Sequence, residues 1–338
     1  MKHSTIRHIR TLLKAGLTPM LQGPPGSGKT QSLESLAKEL GWDFLPVVMS
    51  VMELVDVMGL PTVDKDKAKF LPFGIFEQIF NAKDDILVLL DDLGQACPSV
   101  QASVMQLIHG RVLNGHKVGD NVHFCIATNR EQDHAGVGEI ISPIRDRVQS
   151  LDWISTCTCD GTMLCPWHEW AIDNDIAPEV YAFARFRPTA MADWNAPGVD
   201  FNTNQCSARS LENLSKAEKE GIYDPVEPLI AALIGPTRAP EYIAFRTMYK
   251  ALPMIDEILS NPETARLPNK LDEQFAVMGA ISYLTSEREA PAAITYAKRL
   301  PREICMACVM SLARRLPKIT KKKAYTQWAT ENAPHLIV

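Results

Sequence analysis

The eight residues Gly23-Pro24-Pro25-Gly26-Ser27-Gly28-Lys29-Thr30 constrain this chain more than any other segment. They satisfy G-x-x-x-x-G-K-[ST] at every fixed position. That spacing works only between a strand and a helix, where glycines can turn backbone N–H groups inward onto phosphate oxygens. Lys29 supplies a cation for the β- and γ-phosphates, Thr30 a hydroxyl ligand for Mg²⁺, and the following helix its positive end. The flanks meet the requirement. Residues 18–22 read as a strand, 31–40 as a helix stopped by Gly41, and 44–50 as a second strand, which makes one βαβ unit.

A nucleoside triphosphatase also needs an acid for Mg²⁺ and a group that orients the attacking water. The continuous apolar run Ile86-Leu87-Val88-Leu89-Leu90 reads as a strand buried on both faces, and it ends in Asp91-Asp92. Asp91 suits the first role and Asp92 the second. The plainer alternative is two acids that end a strand and face solvent.

Further along, residues 98–110 read as a helix, 111–119 as a hairpin centred on Asn114-Gly115, and 122–128 and 148–154 as strands. Residues 4–16, with Ile6, Ile9, Leu12 and Leu13, read as an amphipathic helix. After Trp167 the pattern turns helical: 167–173, 178–186, 208–220, 228–234, and again from Pro240 to about residue 329. The expected fold is a five-stranded parallel sheet with flanking helices, followed by helical parts.

Charge and hydropathy exclude other classes. With 35 Lys+Arg against 40 Asp+Glu in 338 residues, the net charge is −5, which argues against broad electrostatic capture of nucleic acid. The clearest basic run, Lys318 and Lys321-Lys322-Lys323, reads as a wet helix face. No apolar run approaches the roughly 18 residues that a membrane span needs. The basic start has no apolar stretch suited to a signal peptide, so the expected location is the cytoplasm, bacterial or, for a phage-encoded chain, that of the host.

The ordered motifs resemble the MoxR group of AAA+ ATPases. Asp56-Val57-Met58-Gly59-Leu60-Pro61 matches an insertion after the second strand, and Asp91-Asp92-Leu93-Gly94-Gln95-Ala96 an acidic strand end followed by Gln-Ala. Ile126-Ala127-Thr128-Asn129, Pro143-Ile144-Arg145-Asp146-Arg147 and Ala208-Arg209-Ser210-Leu211-Glu212 match later motifs, so the resemblance spans residues from about 18 to 222. It implies ATP as the nucleotide with Mg²⁺, an α/β nucleotide-binding core over 1–155 and a helical lid over 156–235; the helical C-terminal region over 236–338 is read from its sequence pattern and lies outside the resemblance. It implies Asn129 as the sensor of the attacking water, Arg147 as an arginine finger with Arg145 as its rival, and Arg209 as a second sensor. A finger acting between subunits implies a homo-oligomeric ring, with a hexamer expected. The implied activity is ATP-driven remodelling of a protein partner, for this group typically one with a von Willebrand factor A domain. Two departures stand out: Asp92 where the family has Glu, and Ala208 where Pro is common. Alternatives are a nucleic-acid-directed AAA+ motor or loader, and a slow-turnover nucleotide-gated assembly scaffold suggested by Asp92.

Three smaller features complete the sequence. Cys157, Cys159, Cys165 and His168 could form a structural zinc site, but their spacing is not that of a standard finger, and buried thiols with a surface His is the preferred reading. Cys305-x-x-Cys308 reads as helix core. Phe70, in the insertion, is through the same resemblance a candidate grip on a substrate in a central channel; a solvated hairpin with aromatic anchors is the equal alternative.

Overall fold

The structure, a computed structural model, describes residues 4–64, 67–133, 138, 140–153, 166–195, 203–250 and 255–336. The chain forms two compact units, Met1–Ser155 and Thr156–Val338.

In order, the first unit comprises α1 (Ser4–Lys14), β1 (Pro19–Gln22), α2 (Lys29–Leu40), β2 (Asp43–Val48), α3 (Leu54–Met58), β3 (Leu60–Asp64), β4 (Lys67–Leu71) and α4 (Gly74–Phe80). It continues with β5 (Ile86–Asp91), α5 (Pro98–Gly110), β6 (Val112–Leu113), β7 (His116–Lys117), β8 (Val122–Thr128), α6 (Ser142–Arg145) and β9 (Gln149–Asp152). Five strands make one parallel sheet in the order β2-β5-β8-β1-β9.

The alternation of side chains along these strands explains why helices cover both faces. Leu21, Leu87, Leu89, Cys125 and Ala127 pack with Ile6, Ile9 and Leu13 of α1 and Leu33 and Leu36 of α2. Met20, Val88, Leu90, Phe124 and Ile126 pack on the other face with Val100, Val104 and Leu107 of α5. Each fully buried aliphatic side chain contributes roughly 1.5–3 kcal/mol, so the sheet is fixed from both sides. Its register then aligns the C-terminal strand ends: Gln22 lies beside Thr128, and Asp91 beside Ala127.

The strand expected over 44–50 stops at Val48, because Met49–Val51 tightens into a 3₁₀ turn. The hairpin expected around Asn114-Gly115 is the β6–β7 pair, with φ of 48° and 86° at these two residues, the left-handed pair that a two-residue hairpin turn requires. β3 and β4 form a second antiparallel hairpin in the insertion, with Phe70 opposite Pro61. Helix α3 is a local element that the sequence reading does not contain.

The second unit is helical throughout its described residues: α7 (Pro166–Asp173), α8 (Pro178–Phe186), α9 (Ala208–Glu220), α10 (Val226–Ile234), α11 (Ala239–Lys250), α12 (Ile255–Ser260), α13 (Leu271–Leu284), α14 (Ala290–Ala297), α15 (Arg302–Arg315) and α16 (Lys323–Leu336), with short 3₁₀ turns. One core runs from Trp167 to Trp328 and takes in residues on both sides of position 235. Gly279 permits its tightest approach. A Cβ there would sit 2.4 Å from Ala182 Cβ, so α8 and α13 meet almost backbone to backbone. Cys305 and Cys308 lie in this core, as expected of an apolar helix face. His168 corrects the expectation of a surface histidine: it is fully buried, edge-on to the rings of Trp167 and Tyr181. Its place on α7 turns it inward with the apolar residues of that helix. No helix among the described residues is long and apolar enough to cross a membrane.

Candidate functional site: a phosphate loop at the strand ends

The loop between β1 and α2 has the backbone that its sequence demands. Gly26 and Gly28 take φ of 67° and 83°, a region that side chains disfavour, and Gly28 caps α2. At Gly23 the reason for glycine is proximity: a Cβ would lie 2.4 Å from the carbonyl oxygen of Trp153. Lys29, at the first position of α2, is buried. Its Nζ donates to the carbonyl oxygens of Gly23 (2.8 Å) and Pro24 (3.1 Å) and to Asn129 Oδ1 (2.9 Å). Ser27 Oγ is buried and has no hydrogen-bond partner among the described residues, an orphan that an anion at the loop would satisfy.

The acids stand where the strand ends place them. Thr30 Oγ1 donates to Asp91 Oδ2 at 2.9 Å, so a hydroxyl and a carboxylate converge at the mouth of the loop. This all-oxygen pair suits a hard divalent cation such as Mg²⁺. The other carboxylate oxygen of Asp91 accepts the backbone N–H of Asp92 at 3.1 Å. Asp92 has φ of 55°, left-handed for a non-glycine residue, and its Oδ1 accepts from Asn129 Nδ2 over a long 3.4 Å. Because β8 lies between β1 and β5, Asn129 follows the strand flanked by both partners, and its amide bridges Lys29 and Asp92.

Arg130 and Asp133 fix the turn that follows. Asp133, 1% exposed, accepts from Arg130 through the backbone N (3.0 Å), Nε (3.0 Å) and Nη2 (2.7 Å). Such a two-oxygen clasp is geometrically specific. Beside it is a polar cavity of about 240 Å³ lined by Gln22, Asn129, Arg130, Arg145 and Asp152 among others.

The structure therefore brings together Lys29, Thr30, Asp91, Asp92 and Asn129. Arg145 joins Asn129 in lining the cavity, with its Nη2 3.5 Å from Glu131. Arg147, just beyond α6, is tied back through Nη1 to the carbonyl of Pro143 at 2.7 Å. Arg209 belongs to the second unit, exposed in the first turn of α9. That turn is closed by a reciprocal cap in which Ser207 Oγ accepts from Ser210 N and Ser210 Oγ from Ser207 N. Of the zinc candidates, Cys157, Cys159 and Cys165 lie outside the described residues, and no cluster of three metal-ligating residues occurs among those described.

Sequence reasoning missed Trp153, Arg130 and Asp133. Trp153 is 5% exposed, and its indole Nε1 donates to Ser27 O at 3.0 Å across 126 positions of sequence. No motif signals that contact.

Residues 19–155 match the family described as ATPase family associated with various cellular activities (AAA). No curated protein matches the chain. Among solved structures the chain is similar to NtrX from Brucella abortus in complex with ADP, at 13% identity over 98% of this chain and 68% of that one, with a TM-score of 0.40. It is also similar to the RuvB Holliday junction branch migration motor of Thermotoga maritima, at 12% identity over 98% of this chain and 88% of that one, with a TM-score of 0.35. The stretch of this chain that matches the AAA family model carries the phosphate loop and both acids.

Proposed function

We propose that the protein binds and hydrolyses ATP as a MoxR-type AAA+ ATPase, in a homo-oligomeric ring that remodels or activates a protein partner. The observation that carries the hydrolytic part is the bridge from Lys29 through Asn129 to Asp92, which links the phosphate-binding cation to the acid proposed to orient water. In this reading the backbone N–H groups of the loop and Lys29 hold the β- and γ-phosphates, and catalysis is positioning and charge stabilisation. Thr30 and Asp91 would hold Mg²⁺, which neutralises phosphate charge when bound. Asp92 accepts a hydrogen bond from the attacking water, and Asn129 fixes both that carboxylate and Lys29.

The ring part of the proposal rests on the arginines beyond the site's own phosphate loop. Arg147, one third exposed, can serve a neighbouring subunit, and Arg145 remains its rival. Mixing Arg147→Ala with Lys29→Ala subunits tests this, because each kind lacks what the other supplies. Activity that rises on mixing two inactive variants supports a shared site. Full activity of isolated monomers contradicts it.

A second reading, a slow-turnover nucleotide-gated scaffold, draws on Asp92. Its side chain is one methylene shorter than Glu and reaches Asn129 only at 3.4 Å. A misplacement of 1 Å at a catalytic group can cost up to about 10²-fold in rate.

A further inference from the structure

We propose that Trp153 is a positioning residue for the phosphate loop, holding it in the phosphate-binding conformation before nucleotide arrives. Three contacts converge on this residue. Its backbone N–H donates to Gln22 O at 2.7 Å, which prolongs the β1–β9 pairing by one step to the threshold of the loop. Its carbonyl oxygen lies so close to Gly23 that only glycine fits there. Its indole Nε1 donates to Ser27 O at 3.0 Å, near the far end of the loop.

The third contact sets the polarity of the loop. A trans peptide holds its C=O and N–H antiparallel, so an indole that fixes the Ser27 carbonyl on one side aims the Gly28 N–H to the other. An anion-binding loop needs this arrangement: N–H groups inward, carbonyls outward and satisfied by donors of their own. The indole nitrogen is a donor only, so once buried it seeks a carbonyl and cannot compete with phosphate for the loop's N–H groups. The ring itself is immobilised in the core with Leu21, Leu33 and Leu36, which makes it a rigid support. The inference rests on the nucleotide reading of the same loop and adds to it the residue that pre-forms it.

The test measures nucleotide affinity by competition against a fluorescent ADP analogue in the full-length chain. Two variants are compared with wild type: Trp153→Phe, and Trp153→3-benzothienylalanine, which preserves the bicyclic shape and removes only the N–H. Loss of one neutral hydrogen bond predicts a Kd for ADP and ATP raised about fivefold in both variants. AMP, which lacks the β-phosphate held by the loop, should keep its wild-type Kd, so the ADP-to-AMP affinity ratio falls. Unchanged ADP affinity in the benzothienyl variant would overturn the inference. So would equal weakening of ADP and AMP, the mark of general destabilisation. Wild-type protein that binds neither ADP nor ATP would instead overturn the nucleotide reading itself, and this inference with it.

Discussion

Lys29 Nζ and Asn129 Oδ1 hydrogen-bond at 2.9 Å across one hundred positions of sequence. The pairing follows from strand order: β8 runs between β1, which leads into the loop of Lys29, and β5, which ends at Asp91. The amide at position 129 thus hydrogen-bonds both the Lys29 ammonium and the Asp92 carboxylate.

Asp92→Glu is expected to bring no gain in turnover. The left-handed φ of 55° at this position is one that Asp adopts more readily than Glu, and for a longer side chain it costs about 1 kcal/mol more. Asp92→Asn is expected to lower kcat by about 10²-fold if the carboxylate assists proton movement from water. Steady-state ATP hydrolysis by the two variants checks both expectations. A large gain with Glu would support the scaffold reading instead.

Much of this was legible in sequence because it rests on local rules. The phosphate loop, the apolar strand ending at Asp91 and the Asn-Gly hairpin are all set by short-range backbone and patterning requirements, and helices such as Pro98–Gly110 and Pro178–Phe186 coincide with their periodicity. What the sequence hides is pairing through space. Trp153 meets Ser27, and the helices before and after residue 235 share one core, because of tertiary packing that has no short-range signature. His168 shows the same limit: a polar residue on a helix is expected to face solvent, but α7 buries the face that carries it.

Asp133→Asn should destabilise the first unit by about 2 kcal/mol. The change removes the charge of a wholly buried carboxylate that the Arg130 guanidinium clasps through Nε and Nη2. The midpoint of urea unfolding of the full chain measures it. A midpoint equal to wild type would mean that the clasp adds nothing to stability.

Thiol reactivity should separate the five described cysteines. Cys97 is exposed, and hydrogen bonds from Ser99 and the Val100 backbone lower its pKa, so its thiolate fraction at neutral pH exceeds that of an ordinary thiol. Burial pushes Cys308 up to about 12 and raises Cys125 and Cys305 as well. Mass-resolved iodoacetamide labelling at pH 7 should therefore modify Cys97 first and leave Cys125, Cys305 and Cys308 intact in the folded protein. Labelling of Cys308 at a comparable rate would contradict the core described for α15.

The most direct measurement is ATP turnover by Asn129→Ala alongside its nucleotide affinity. If the amide bridges phosphate-binding cation and water-orienting acid, kcat should fall by about 10²-fold while the Kd for ADP stays within about threefold of wild type. Wild-type turnover in this variant would contradict the account.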